Sequence, residues 1–152
     1  GIEPGRKYES EGGPTLAMCC TAVMQHSSKP ALDKKRMLEW AVFNVAVGNM
    51  DSHAKNLSLL TMGGHTRLAP FYDLVCTTVY KHLSRRFAFK IGGESRPGWI
   101  MGRHWDRLAV ELAVNRSCCA QSGWTFACAS NGSCPRWPVR CVRRWHTLKG
   151  WP

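Results

Sequence analysis

The sequence predicts a mainly α fold with one small β-hairpin and an irregular C-terminal tail. Three observations predict it. Apolar residues recur at helical spacing in three segments before Asn115. Two short β-prone segments flank Met62-Gly63-Gly64-His65, a turn composition. Beyond Val114 the regular spacing stops. With 152 residues, of which 44% are hydrophobic, the chain can build one modest packed domain but not two ordinary ones.

Pro14 suits the first position of a helix, where its missing N–H is not needed. Leu16, Cys19, Cys20, Val23 and Met24 carry that helix to Gln25, and Ser27-Ser28-Lys29-Pro30 breaks it. The second helix runs from about Ala31 to Val47. Leu38, Val42 and Val45 mark one face, widened by Trp40, Phe43 and Val47, so its second half belongs inside a core. Gly48 supplies a C-terminal stop. Leu57 to Thr61 and Thr66 to Leu68 form the hairpin, ended by Pro70. Phe87-Ala88-Phe89-Lys90-Ile91 alternates and predicts another strand. Arg103 to Val114 predicts a third helix, with Trp105, Leu108, Ala109 and Leu112 on one face.

The tail differs in kind. Residues 115–152 hold five of the eight Cys, four of the seven Trp and six Lys or Arg, with no Asp or Glu. Val139, Val142 and Leu148 are its only Val, Leu or Ile residues. More than half of the formal net charge of +11 comes from this quarter of the chain, so the charge does not by itself mark a nucleic-acid-binding domain. A segment of Arg, Cys, Trp, Pro, Ser and Gly without acids or regular aliphatics is what a GC-rich gene yields when read out of frame. We therefore expect a reading-frame shift near codon 114. The domain division expected is 1–114 and 115–152.

The chemistry concentrates in Gly48-Asn49-Met50-Asp51-Ser52-His53-Ala54-Lys55-Asn56, between a buried helix and the hairpin. Asp51 and Asn56 have the Asp-to-Asn spacing of a phosphoryl-transfer catalytic loop. Asp73 follows after the hairpin, in Ala69-Pro70-Phe71-Tyr72-Asp73-Leu74. In-line transfer needs an oriented acceptor hydroxyl, whose hydrogen bond Asp51 can accept. It also needs Mg2+, a hard cation that prefers oxygen ligands. Asn56 offers a carbonyl oxygen and Asp73 a carboxylate. Lys55 offers a cation to offset phosphate charge, and His53 suits orienting the loop.

The chain resembles the C-terminal domain of HipA-family toxins, the kinase half of bacterial HipA–HipB toxin–antitoxin modules. The resemblance is carried by Lys7-Tyr8-Glu9-Ser10-Glu11-Gly12-Gly13-Pro14, then Phe43 through Ser58, then Arg67 through Leu74, within about residues 1–113. It implies the C-terminal lobe of a protein-kinase-like fold, ATP and Mg2+ as cofactors, and a protein Ser/Thr acceptor. Family acceptors include translation components such as aminoacyl-tRNA synthetases. It also implies a HipB-like antitoxin partner, with DNA reached only through that antitoxin. The residues it carries over are Asp51 as catalytic base, and Asn56 and Asp73 as Mg2+ ligands in the cofactor site; from the reading of the residues, Lys55 joins Asp51 in the catalytic set and His53 joins the cofactor site.

Against a complete kinase, the residues before Pro14 cannot supply a phosphate-covering loop and its Lys. Gly1 in place of Met suggests that the true start lies upstream. The chain is therefore expected to be incomplete, to bind ATP–Mg2+ weakly or not at all, and to be inactive alone.

Plainer readings apply to several motifs. Gly12-Gly13-Pro14 reads as a helix entry, Trp40 and Trp105 as core, Lys34-Lys35-Arg36 as a solvated helix face, and Arg85-Arg86 as a surface strand edge. Cys128, Cys134, Cys141 and His146 lack the short paired spacing of structural zinc sites. No apolar run approaches the ~20 residues of a membrane span, and no secretion signal is visible. These features predict a cytoplasmic protein with free thiols and no membrane contact. A non-catalytic module docking an antitoxin or a nucleic-acid-associated partner is the alternative function. A small metal-binding protein is another.

Overall fold

The computed structural model describes residue 3 and residues 5–114. The zinc candidates and the proposed frame break beyond Val114 lie outside the described residues. The architecture is mainly α with one two-stranded antiparallel hairpin. Helix α1 spans Leu16–His26, α2 spans Pro30–Val47, strand β1 spans Leu59–Met62, β2 spans His65–Leu68, and α3 spans Gly102–Glu111.

Helix α1 starts one turn feature later than its proline suggests. Thr15 is the N-cap, and its hydroxyl accepts from the Met18 N–H at 3.1 Å, so Pro14 lies outside the helix. In α2, Pro30 occupies the first turn, where no backbone donor is required. Gly48 ends α2 in the left-handed region, at φ 72°, and returns its N–H to the carbonyls of Asn44 and Val45. Gly63 and Gly64 both have positive φ, the requirement of a two-residue type I′ hairpin turn. That turn pairs Met62 with His65 and Leu59 with Leu68.

Helices α1 and α2 pack on each other through Leu16, Cys20, Val23, Met37, Trp40 and Val45. Leu108 and Leu112 of α3 close the same core. Trp40 sits at its centre, 1% exposed, edge-on to Phe89 at a centroid separation of 6.0 Å. At ~25 cal/mol per Å2 of apolar area, buried aromatics of this size dominate the folding energy of so small a domain.

The segment Phe87–Ile91 is not a strand. Phe87, Ala88, Phe89 and Ile91 are all buried, so the alternation that suggested a strand does not correspond to two faces. Its backbone bonds go to unrelated partners: the Phe87 N–H to Ser95 O, the Ala88 N–H to Met50 O, and the Lys90 N–H to the Glu9 carboxylate. Only an isolated bridge joins Ile91 to Glu94. Arg85 and Arg86 are exposed, but with no strand here they are not a strand edge.

Lys34-Lys35-Arg36 is also only partly a solvated face. Arg36 donates to the Leu68 carbonyl at 3.0 Å and lies 5.5 Å from the centre of the Phe71 ring, tying α2 to the hairpin. No helix among the described residues is long and apolar enough to cross a membrane.

Candidate active site

The loop from Gly48 to Asn56 is fixed from three sides. Asn49 bridges out of α2: its Nδ2 donates to Asn44 Oδ1 at 2.8 Å and to the Asp73 carbonyl at 3.0 Å. The Met50 N–H donates to the Thr77 hydroxyl at 2.7 Å, and the Met50 carbonyl accepts from Ala88. The Ser52 hydroxyl returns to the Asn49 carbonyl. Such a closed set of bonds leaves the loop one arrangement, which is what a preorganised site requires.

Asp51 lies at the exposed rim, its side chain 45% accessible. Its Oδ1 accepts from the Tyr8 hydroxyl at 2.6 Å and from Lys7 Nζ at 3.5 Å. His53 is buried beneath it, with Nε2 3.8 Å from the same oxygen. Burial pulls the His53 pKa down and favours a neutral imidazole, against the smaller opposing pull of the Asp51 charge.

Asn56 is buried and its amide is used at both ends. Oδ1 accepts from the His53 backbone N–H at 2.8 Å, and Nδ2 donates to Asp73 Oδ2 at 2.6 Å. The hairpin makes this possible by reversing the chain, so that Asp73 returns beside the loop. Asp73 adopts φ 57°, a left-handed conformation uncommon outside glycine, held by the Asn49 bond to its carbonyl.

Of the residues the sequence singles out, the structure brings Asp51 and His53 together and joins Asn56 to Asp73. Lys55 stands apart. Its side chain is exposed, with no hydrogen bond or ion pair to Asp51 or Asp73 among the described residues. Its carbonyl, not its ammonium, is engaged, accepting from the Tyr72 hydroxyl at 2.6 Å. Sequence reasoning assigned no role to Lys7 or Tyr8, which touch Asp51 from 43 or more residues away.

Asn56 and Asp73 suit a hard cation. Asp73 offers carboxylate oxygens, with no donor to Oδ1 among the described residues, while Asn56 turns Nδ2 toward Asp73 and would add its oxygen by turning its amide away from the His53 N–H. No group of three or more His, Cys, Asp or Glu gathers among the described residues. A cation here would therefore complete its shell with water or phosphate oxygens, as Mg2+ does when a protein gives it few ligands.

Residues 1–126 match the HipA-like C-terminal domain family. The chain belongs to that family. Among curated relatives, the kinase-named protein Y4mE of Sinorhizobium fredii is 39% identical over 114 residues, 75% of this chain and 27% of its own length. The serine/threonine-protein kinase toxin HipA of Shewanella oneidensis is 37% identical over 71 residues, 47% of this chain and 16% of its own length. The chain thus spans about a quarter or less of the relatives it matches. A solved complex of Shewanella oneidensis HipA with HipB and operator DNA contains the same fold, at TM-score 0.73 and 24% identity, over 79% of this chain and 30% of that one. The HipA-like match extends past the composition break at Asn115.

Proposed function

We propose that this HipA-like domain carries the phosphoryl-transfer centre of a serine/threonine-protein kinase. The reading rests on one observation above others: the hairpin returns Asp73 to within 2.6 Å of Asn56, in the same loop that presents Asp51 at the surface. This is the order acceptor-orienting Asp, then cation-holding Asn, then cation-holding Asp.

In this reading Asp51 accepts the hydrogen bond of a protein Ser or Thr hydroxyl and aligns it. Asn56 and Asp73 hold Mg2+, which supplies charge stabilisation to the ATP phosphates when bound. Lys55, exposed beside them, offers a cation to phosphate oxygens. His53 stays beneath Asp51 and orients it. The acceptor class is a protein of the translation apparatus, such as an aminoacyl-tRNA synthetase. The setting is a cytoplasmic toxin–antitoxin module with a HipB-like partner that contacts DNA on its behalf. The Shewanella relative's name and its complex with HipB and DNA support that setting.

The test is transfer of the ATP γ-phosphate to casein or to water at millimolar Mg-ATP by a full-length HipA-family kinase carrying this domain, because the chain alone is expected to be inactive. Asp51→Asn is expected to lower the rate by about a thousandfold, the upper range for an acid–base group. A wild-type rate no higher than that of Asp51→Asn would refute the kinase reading. Capture of a HipB-like protein without any transfer would favour the non-catalytic module instead.

A further inference from the structure

The Lys7-Tyr8 pair lies 43 to 44 residues from Asp51 in sequence yet meets its carboxylate directly. We propose that Tyr8, assisted by Lys7, is a positioning residue for Asp51: it engages Oδ1 and leaves Oδ2 as the oxygen offered to an acceptor hydroxyl. The inference rests on the kinase reading above and deepens it.

The geometry supports this in three steps. First, the donors converge on one oxygen. Tyr8 Oη is 2.6 Å from Asp51 Oδ1, Lys7 Nζ is 3.5 Å away, and His53 Nε2 is 3.8 Å away. Oδ2 receives no hydrogen bond among the described residues, and the side chain is nearly half accessible. A carboxylate free to rotate would present either oxygen. One clamped by a phenol on one side presents the other.

Second, Tyr8 is itself held. Its carbonyl accepts from the N–H groups of Glu11 and Gly13 at 3.1 and 2.9 Å. A side chain at Gly13 would collide with the Tyr8 and Arg6 carbonyls, 2.6 and 2.7 Å from the added carbon, so this turn needs its glycine. The Tyr8 ring meets His53 edge-on at 5.8 Å, and the Lys7 ammonium lies 4.7 Å from the ring centre.

Third, a ladder of backbone bonds sets Tyr8 in register with Asp51. The Glu9 N–H donates to the Ala88 carbonyl, and the Ala88 N–H donates to the Met50 carbonyl. The neighbours of Tyr8 and of Asp51 are therefore pinned to the same residue. Burial, with the Asp51 carboxylate adding to it, also holds the Tyr8 phenol above its ordinary pKa, so it remains a donor at neutral pH.

The experiment is a kinetic double-mutant cycle with Tyr8→Phe, Asp51→Asn and the pair, made in this domain carried within a full-length HipA-family kinase that supplies the nucleotide-covering lobe. It uses γ-phosphate transfer from Mg-ATP to casein or water. Tyr8→Phe keeps the ring contacts and removes only the hydroxyl. It is expected to lower kcat about tenfold, with KM for ATP within about twofold, as a misplaced reacting group does. In the Asp51→Asn background the same change is expected to have no further effect, because Tyr8 acts through Asp51. Lys7→Met, which removes the second donor, is expected to give a smaller loss of the same kind. Tyr8→Phe equal to wild type, or equally harmful with and without Asp51, overturns the positioning role and leaves the kinase reading standing. A wild type no faster than Asp51→Asn removes the kinase reading, and the positioning role with it.

Discussion

Asn56 and Asp73 share a 2.6 Å hydrogen bond across seventeen residues, and Asn56 also accepts from the His53 N–H. One buried amide therefore closes the loop from Gly48 to Asn56 and attaches the loop after the hairpin to it.

Replacing Asn56 with alanine leaves the buried His53 N–H without its acceptor and takes one donor from the exposed Asp73 carboxylate. The expected loss is about 2 kcal/mol, the usual cost of orphaned buried polar groups. Urea unfolding measures it. Asn56→Asp separates this structural role from cation binding. It sets carboxylate against carboxylate, so it should melt lower than wild type without metal and recover with millimolar Mg2+. Asn56→Ala should not recover. Equal responses of the two variants to Mg2+ would rule out a cation between Asn56 and Asp73.

Gly92 makes a second, independent prediction. It has φ 52°, and an added Cβ would collide with the His104 carbonyl in the first turn of α3. Gly63 also has a positive φ, of 56°, but nothing lies within 4 Å of its Cβ position. Gly63→Ala should therefore cost only about 1 kcal/mol of backbone strain. Gly92→Ala should cost several kcal/mol, as backbone overpacking does, and should loosen α3. Similar melting temperatures for the two variants would show that α3 does not pack against this turn.

These glycines mark what a sequence can and cannot reveal. Gly48 as a helix stop and Gly63-Gly64 as a turn are local requirements, readable from spacing and composition. Asp51, Asn56 and Asp73 were readable for the same reason, since one short loop and one hairpin hold them all. Tyr8 stands in a legible motif, but its role is not legible there, because its partner lies 43 residues away and no periodicity encodes that contact. Phe87–Ile91 misled because alternation of large residues normally signals two sheet faces. Here the segment is a buried connector whose donors serve three different parts of the chain. Arg36 read as solvent-facing because neighbouring lysines set the pattern, whereas its guanidinium reaches the hairpin.

A pH dependence follows from His104. It is buried at the start of α3, and its Nδ1 accepts from the Met101 N–H at 2.9 Å, which only an unprotonated nitrogen can do. Burial first, then the nearby Arg103, lower its pKa. The folded state therefore takes up a proton less readily than the unfolded chain, so stability rises with pH through this range. The contribution is complete above the ordinary histidine value of ~6.5 and declines as pH falls below it. Urea midpoints between about pH 7 and pH 5 should fall in wild type and fall less in His104→Gln. An identical slope in both would assign the dependence to other groups.

Asp33 sets the acid limit of the fold. Its side chain is fully buried, yet it receives the Arg67 guanidinium through two bonds of 2.8 and 3.0 Å, the Ser27 hydroxyl at 2.6 Å and the Leu68 N–H at 2.9 Å. Burial alone would raise its pKa. The donors outweigh that, Arg67 foremost, and hold it at about 2. A depressed carboxylate contributes stability above its unfolded pKa of ~3.9, and that contribution is lost as pH falls from there toward 2. Arg67→Ala would leave a buried carboxylate without its main partner, at a cost of about 3 kcal/mol. Asp33→Asn keeps the shape but gives up the charge. Adding it to Arg67→Ala should therefore cost less than it does in wild type, and the double variant should unfold less steeply between pH 4 and pH 2 than wild type. Urea unfolding of the four proteins at neutral pH measures the coupling. Additive losses would show that Asp33 and Arg67 act separately, and that the bonds of Asp33 to the Leu68 N–H and of Arg36 to the Leu68 carbonyl attach α2 to β2 without that ion pair.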